Sequence, residues 1–183
     1  MATLQNARVL MLATDGFEES ELFEPRQALL DAGAQVTLAS ISTDAITGET
    51  AGEKGKSITP DTTLDQVEPD QFDALVLPGG VGNPDKMRMQ QKAIAIVRGF
   101  MDSDKLVAAI CHAPWLLAEA DVVAGRRLTS WPSIRTDLAN AGADVVDQEV
   151  VTDRNLITSR KPDDIPAFNR AVLAALEEVQ ATA

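Results

Sequence analysis

The sequence predicts one doubly wound α/β domain, on three observations. Short apolar runs alternate with stretches of helical periodicity. Several of those runs are apolar at every position, as strands covered on both faces of a parallel sheet must be. The chain has 183 residues, enough for one such domain and too few for two ordinary ones.

Arg8 to Thr14 reads as a buried strand that runs into a turn at Asp15-Gly16. From Glu18 to Ala32 the apolar residues Leu22, Phe23, Leu29 and Leu30 recur at helical spacing, and Gly33 stops the helix. Gln35 to Ile41 is the next strand, so the unit predicts a parallel pair with a right-handed crossover. Thr43 to Pro60, rich in Gly, Thr and charge, predicts a β-hairpin excursion. Asp73 to Leu77 is a central strand ending in Pro78-Gly79-Gly80, and Pro84 to Asp102 reads as one helix. Leu106 to Ile110 is a buried strand ending at Cys111, and Pro114 opens a helix. Further strands are expected over Val122–Leu128, Val145–Thr152 and Leu156–Ser159, with a short helix over Pro132–Asn140. Asp163 to Val179 is the last helix, with Asp163 and Asp164 in its first turn, where acids suit the helix dipole.

Composition narrows the function. Sixteen Lys and Arg against 28 Asp and Glu give a formal charge of −12, which disfavours nucleic acid or an anionic membrane as the main partner. The longest uncharged apolar stretch, Leu106 to Ala118, is shorter than the roughly 20 residues of a membrane span. Met1 to Leu10 lacks the basic cluster and apolar core of a secretory leader, so a cytoplasmic protein is expected. One Cys and one His exclude an internal disulfide and a Cys-rich zinc site. Any cysteine nucleophile is therefore Cys111, and any histidine base His112. Gly79-Gly80-Val81-Gly82 and Gly55-Lys56-Ser57 miss the phosphate-loop patterns, so nucleotide binding is disfavoured, and cysteine chemistry needs no metal or organic cofactor.

Ligands of open parallel sheets bind beyond the carboxyl ends of the strands. Asp15-Gly16-Phe17-Glu18, Pro78-Gly79-Gly80 and Cys111-His112-Ala113-Pro114 all sit at such ends. Cys111 between strand and helix is placed as in a nucleophile elbow, where helix N–H groups favour a thiolate. The bland alternative is a buried structural cysteine. His112 can take and return the thiol proton, or simply cap the turn. Glu18, if protonated, can donate to sulfur, or it is one more acid at a helix start, the reading that suits Glu19 and Glu21. The backbone N–H groups of Gly80 and His112 are placed to form an oxyanion hole. Trp115 and Trp131 read as packing residues or pocket walls.

With these residues in place, the chain resembles the ThiJ/PfpI superfamily. The resemblance rests on Thr14-Asp15-Gly16-Phe17-Glu18-Glu19-Ser20-Glu21-Leu22, Ala74-Leu75-Val76-Leu77-Pro78-Gly79-Gly80 and Ala109-Ile110-Cys111-His112-Ala113-Pro114. Gly125-Arg126-Arg127-Leu128-Thr129, Asn140-Ala141-Gly142-Ala143 and Thr158-Ser159-Arg160-Lys161-Pro162-Asp163-Asp164 extend it over nearly the whole chain. The match is to the PfpI branch of intracellular proteases and general stress proteins.

The resemblance implies a flavodoxin-like three-layer sandwich with a mostly parallel sheet, of the class I glutamine amidotransferase-like type, over residues 1–183 as one domain. It implies Cys111 as nucleophile, His112 as base and Glu18 as the sulfur-contacting acid. In some members an acid from a neighbouring subunit completes the triad. Its counterpart is Asp85, one methylene shorter than the Glu of the archaeal protease, so a homo-oligomer, a dimer or a higher assembly, would be part of the mechanism. Ala113 replaces the Gly common in this branch, and its methyl is expected to narrow the pocket. The activity implied is that of a stress-response cysteine enzyme of deglycase or glyoxalase type acting on methylglyoxal or glyoxal adducts. The alternatives are an intracellular cysteine peptidase and a non-enzymatic oxidative-stress sensor or holdase with an oxidisable Cys111.

Overall fold

The computed structural model describes residues 4–182. Residues 1–3, which begin the stretch read above as lacking a leader, lie outside them. A seven-stranded sheet forms the centre. Its strands are β1 (Arg8–Leu12), β3 (Gln35–Ser40), β6 (Thr62–Thr63), β7 (Ala74–Leu77), β8 (Leu106–Ile110), β11 (Val150–Asp153) and β12 (Leu156–Ser159). They lie in the order β11-β12-β8-β7-β1-β3-β6. Every neighbour pairs in parallel except β11, which runs antiparallel to β12. The expected mostly parallel central sheet flanked by helices is what the chain forms.

The apolar runs explain themselves once both faces of the sheet are counted. Leu10, Leu12, Leu75, Leu77, Val107 and Ala109 point to one core. There they meet Ile94, Val97 and Phe100 of α3 (Gln91–Asp102), Leu116 and Leu117 of α4 (Pro114–Glu119), and Leu138 of α5 (Arg135–Asn140). Val9, Met11, Ala74, Val76, Ala108 and Ile110 point the other way. Their partners are Leu22 and Leu29 of α1 (Glu19–Asp31) and Phe168, Val172 and Leu176 of α6 (Ile165–Thr182). Alternation along each strand thus feeds two cores, and neither face is left for polar residues.

Three expectations need correction. The helix over Pro84–Asp102 is two, α2 (Gly82–Met87) and α3. No Gly or Pro breaks it; packing overrides propensity, since α2 lies against α4 while α3 buries its apolar stripe on the sheet. Of Val122–Leu128 only β9 (Arg127–Leu128) is strand, because Asp121 (φ 56°) and Gly125 (φ 68°) turn the chain on either side of Val122–Ala124. Val145–Thr152 splits between β10 (Asp144–Val145), parallel to β9, and β11 in the main sheet. Between them Asp147 is bound to Arg135 and Arg160. The expected excursion is the hairpin of β4 (Ile46–Thr50) and β5 (Glu53–Ile58), which joins β2 (Phe17–Glu18), a strand with no sequence signal, in a second sheet.

Chain order reverses between β1 and β7, which makes their carboxyl ends the switch-point crevice. Asn83, buried, ties the two sides together. Its Oδ1 accepts from the Thr14 N–H at 2.8 Å, and its Nδ2 donates to the carbonyls of Pro78 (3.0 Å) and Gly79 (3.2 Å). Gly80, at φ 81°, passes so close that an added Cβ would collide with the Gly16 carbonyl and lie 2.6 Å from the Glu18 nitrogen. Gly125 has a similar φ, 68°, with open space around it. Gly80→Ala should therefore cost roughly 2–4 kcal/mol, adding backbone collision to φ strain, whereas Gly125→Ala costs about 1 kcal/mol. Chemical denaturation of both variants checks this, and equal losses would contradict the packing described.

Candidate active site

Cys111 follows β8 directly and sits at φ 65°, a conformation that costs a non-glycine residue about 1–3 kcal/mol. The backbone holds it there from both sides: its N–H donates to the Ser159 carbonyl at 3.0 Å, and its carbonyl accepts from the Trp131 N–H at 2.9 Å. This is the strained strand-to-helix elbow expected from the sequence. The side chain is 5 % exposed and faces a cavity of about 310 Å³. Gly16, Glu18, Glu21, Glu49, Gly80 and His112 are among its lining residues, and Trp131, Val81, Ala51 and Pro162 supply apolar walls.

The His112 ring turns back toward the sulfur. Its Nδ1 is 3.2 Å from Cys111 Sγ, so two neighbours in sequence meet despite the turn between them. Its Nε2 lies 3.4 Å from the Ser133 hydroxyl. Trp131 stacks on the ring at 5.7 Å between centroids, and Trp115 packs tilted at 5.3 Å. Among the described residues no carboxylate hydrogen-bonds the imidazole; the two indoles and Ser133 orient it. Burial pushes its pKa down, so the ring is a neutral base at pH 7.

The acid at the sulfur is Glu21, not Glu18. Glu21 is fully buried, and its Oε2 accepts from the Gly79 N–H at 2.9 Å. Its Oε1 is buried without a hydrogen-bond partner of ordinary geometry, and the carboxyl is coupled to the Cys111 thiol. An added Cβ on Gly79 would stand 2.5 Å from Glu21 Oε2 and 2.7 Å from Cys111 Cβ, so a residue without a side chain separates acid from nucleophile. Glu18 is half-buried and accepts from the Ser20 hydroxyl at 3.3 Å. It lines the cavity mouth, and its pKa is raised by burial and by the neighbouring charges of Glu19 and Glu49. Helix geometry assigns these roles: Glu21, Leu22, Pro25 and Leu29 form the buried stripe of α1, whereas Glu18 precedes the helix. An acid on that apolar stripe was the signal available in the sequence. Asn83 carried no comparable signal.

Other expected residues fall as follows. Gly80 and His112 both line the cavity, and their backbone N–H groups pull the thiol pKa down against burial. Asp85 is exposed on α2 and does not line the Cys111 cavity. The Ala113 methyl does not narrow the pocket; it is wholly buried in the opposite core, beside Leu116 and Leu117. Among the described residues no group of His, Cys, Asp and Glu could hold a metal ion, and no helix is long and apolar enough to cross a membrane.

Charge is what this pocket resists. Burial pushes the Glu21 pKa up to about 8, so the acid keeps its proton at pH 7. Burial, then the charge of an ionised Glu21, pushes the thiol up as well, against the N–H groups of Gly80 and His112. A resting thiolate, expected from the elbow, is thus replaced by a neutral thiol beside a neutral acid and a neutral imidazole. Only six residues of helix follow the elbow, too short a dipole to offset the burial. Because the folded-state pKa of Glu21 exceeds its ordinary value of 4.5, its stabilising contribution is complete below pH 4.5. It is then lost as pH rises, levelling off above about 8. Denaturant unfolding of wild type and Glu21→Gln should show this fall as a difference between the two, and parallel curves over pH 4.5–8 would contradict it.

The comparisons with known proteins agree with this architecture. The DJ-1/PfpI family pattern matches residues 7–175. "Protein/nucleic acid deglycase 2" of Escherichia coli (strain K12) is 46% identical over 172 residues, 92% of this chain and 97% of that protein. "General stress protein 18" of Bacillus subtilis (strain 168) is 44% identical over 174 residues, covering 93% and 98%. The crystal structure of Drosophila melanogaster DJ-1beta superposes with a TM-score of 0.86 at 36% identity, over 96% of this chain and 94% of that one. A two-domain protein of Anabaena variabilis, whose DJ-1/ThiJ/PfpI-like domain accompanies a ferritin-like one, superposes at 0.90 with 36% identity; the chain spans about half of it, 48%. By fold, by sequence and by the order of its motifs, this chain belongs to the DJ-1/PfpI family.

Proposed function

We propose that this protein is a stress-protective, cysteine-dependent deglycase or glyoxalase-type enzyme that acts on methylglyoxal or glyoxal adducts. The observation that carries the reading is the Sγ–Nδ1 contact of 3.2 Å, made in a cavity of about 310 Å³ that suits a small adduct better than an extended peptide. The deglycase and stress-protein names of the similar proteins support it.

In this reading the neutral groups act in concert. Cys111 Sγ attacks the aldehyde-level carbon of the adduct while its proton passes to His112 Nδ1, so no thiolate has to stand in the apolar pocket. The carbon–nitrogen bond breaks, and the departing amine takes the proton from His112. The hydrogen on the attacked carbon then moves as a proton through His112 to the neighbouring carbonyl carbon. An enediol becomes a thioester, one carbon oxidised and the next reduced. Water cleaves the thioester to a hydroxy acid and returns the thiol. The N–H groups of Gly80 and His112 hold the oxyanion, and protonated Glu21 presents no negative charge to it.

A second copy of the chain completes the site. Val81 and Met89, 57% and 79% exposed, flank exposed Asp85 on the outer face of α2, and Val81 also lines the cavity. A partner seated there buries the two apolar side chains and brings its own Asp85 toward His112. The partner of this homodimer thereby supplies the acid that no described residue of the same chain supplies.

Cys111→Ser should remove at least about 99% of turnover of methylglyoxal adducts in an amine-free buffer, and unchanged turnover would reject the thiol's role. Met89→Glu should shift the protein from dimer to monomer in sedimentation velocity. Asp85→Asn should leave the dimer intact and lower kcat about tenfold or more. A wild-type protein that sediments as a monomer and is fully active would contradict the shared site.

A further inference from the structure

The hairpin of β4 and β5 walls the Cys111 cavity while resting on few contacts of its own. Its base is fixed. The Thr47 N–H donates to Asp15 Oδ1 at 2.8 Å, the Gly16 N–H donates to the Thr47 carbonyl at 2.9 Å, and Phe17 and Glu18 pair with Gly48 and Glu49. At Gly48 the register slips: Thr47 faces Ser57 and Glu49 faces Lys54, so Gly48 alone stands opposite Gly55 and Lys56. Beyond this bulge, residues 49–54 are exposed. They turn at Ala51 (φ 51°) and Gly52 (φ 82°). Glu49, Ala51 and Gly52 nevertheless line the cavity that Cys111 faces. A segment that buries so little has low local stability, and here it walls a reactive group.

Glu19, by sequence one more acid at a helix start, sits at the bulge. The Lys56 N–H, freed from the ladder there, donates to Glu19 Oε2 at 2.8 Å, and Lys56 Nζ lies 3.4 Å from Oε1. Phe23, one turn along α1, lies under the same ammonium at 5.9 Å. Among the described residues no other hydrogen bond or ion pair joins residues 51–56 to anything outside the hairpin. An added Cβ on Gly55 would collide with the Glu19 carboxylate, and one on Gly48 would stand 2.6 Å from the Phe17 ring. Neither glycine has a positive φ, so space and not backbone conformation demands them.

We propose that Glu19 is the lock on a hinged flap, in which residues 50–54 turn about the bulge and cover or uncover the Cys111 cavity. Locked, the flap admits small molecules to Sγ. Bulky ones reach it only when Lys56 leaves Glu19. Glu19 does not line the cavity, so it is a positioning residue that acts through the hairpin. The consequence for Sγ rests on the reading of Cys111 as the reactive group; the motion of the flap is independent of the reaction.

Because Cys111 is the single cysteine, thiol labelling reads the flap without reference to turnover. Two uncharged methanethiosulfonates, one methyl and one dansylaminoethyl, transfer their thioalkyl group to Sγ, forming a mixed disulfide and releasing methanesulfinate and the thiol proton. Rates are divided by those for N-acetylcysteine. In the wild type the dansyl reagent should be slower than the methyl one by roughly tenfold or more, and in Glu19→Ala the gap should close to about twofold or less. Gly55→Ala, whose Cβ displaces the carboxylate, should close it with Glu19 still present. Glu24→Ala, which removes an exposed acid from the same helix, should keep the wild-type gap. Amide hydrogen exchange at residues 51–56 should rise about tenfold or more in Glu19→Ala and stay unchanged at Ile46 and Thr47.

A wild-type gap near one, or a gap and an exchange pattern that Glu19→Ala leaves in place, overturns the flap. Should Glu19→Ala not fold, Gly55→Ala decides on the same two readouts. A gap closed by Glu19→Ala in a protein without adduct turnover removes the enzymatic reading and leaves the flap standing. Failure of both reagents to label contradicts the reading of Cys111, and exchange alone then decides the flap.

Discussion

Two acids that oppose each other's ionisation share the space under the Gly79-Gly80 turn, and much of the site follows from that constraint. Glu21 Oε2 is held by the Gly79 N–H, and the Gly80 and His112 N–H groups favour the thiolate against burial. A side chain at residue 79 would force the two apart. Burial makes any charge there expensive, so the pair keeps its protons until a base or a bound substrate gives the charge somewhere to go. The neutral imidazole at 3.2 Å is that base, and the Trp115 and Trp131 rings keep it in position.

The fold makes this arrangement possible by bringing three strand ends together. The switch point between β1 and β7 opens the crevice, Asn83 fixes its two sides with three hydrogen bonds, and β8 delivers Cys111 beside it. Strain at Cys111 is sustained because Ser159 and Trp131 bond its backbone from two further segments. Cores on both faces of the sheet resist relaxation of the elbow, since close-packed interiors accommodate little displacement.

Much of this was legible in the sequence. Leu106–Ile110 and Leu156–Ser159 were apparent at their true bounds because continuous apolar runs of that length have few other uses. Cys111 and His112 stood out by their position after such a run. The roles of Glu18 and Glu21 were exchanged because local sequence shows two acids at a helix start and only packing shows which one turns inward. The thiol's protonation departs from the sequence expectation for a related reason: an elbow suggests N–H donors, while the cost of burial depends on residues such as Gly79 and Glu21, which are distant in the chain. Breaks at residues 88–90 and 146–149 carry no glycine or proline and follow from what their neighbours bury.

The central claim is a neutral resting thiol whose ionisation Glu21 opposes. Thiolate absorbance in the ultraviolet tests it cleanly, because the chain contains one cysteine and no tyrosine. Titrated with pH, the wild type should show no thiolate at pH 7 and ionise above the range of a free cysteine, with Glu21→Gln ionising at lower pH than wild type. A full thiolate signal in the wild type at neutral pH, or a curve that Glu21→Gln leaves in place, would contradict the account.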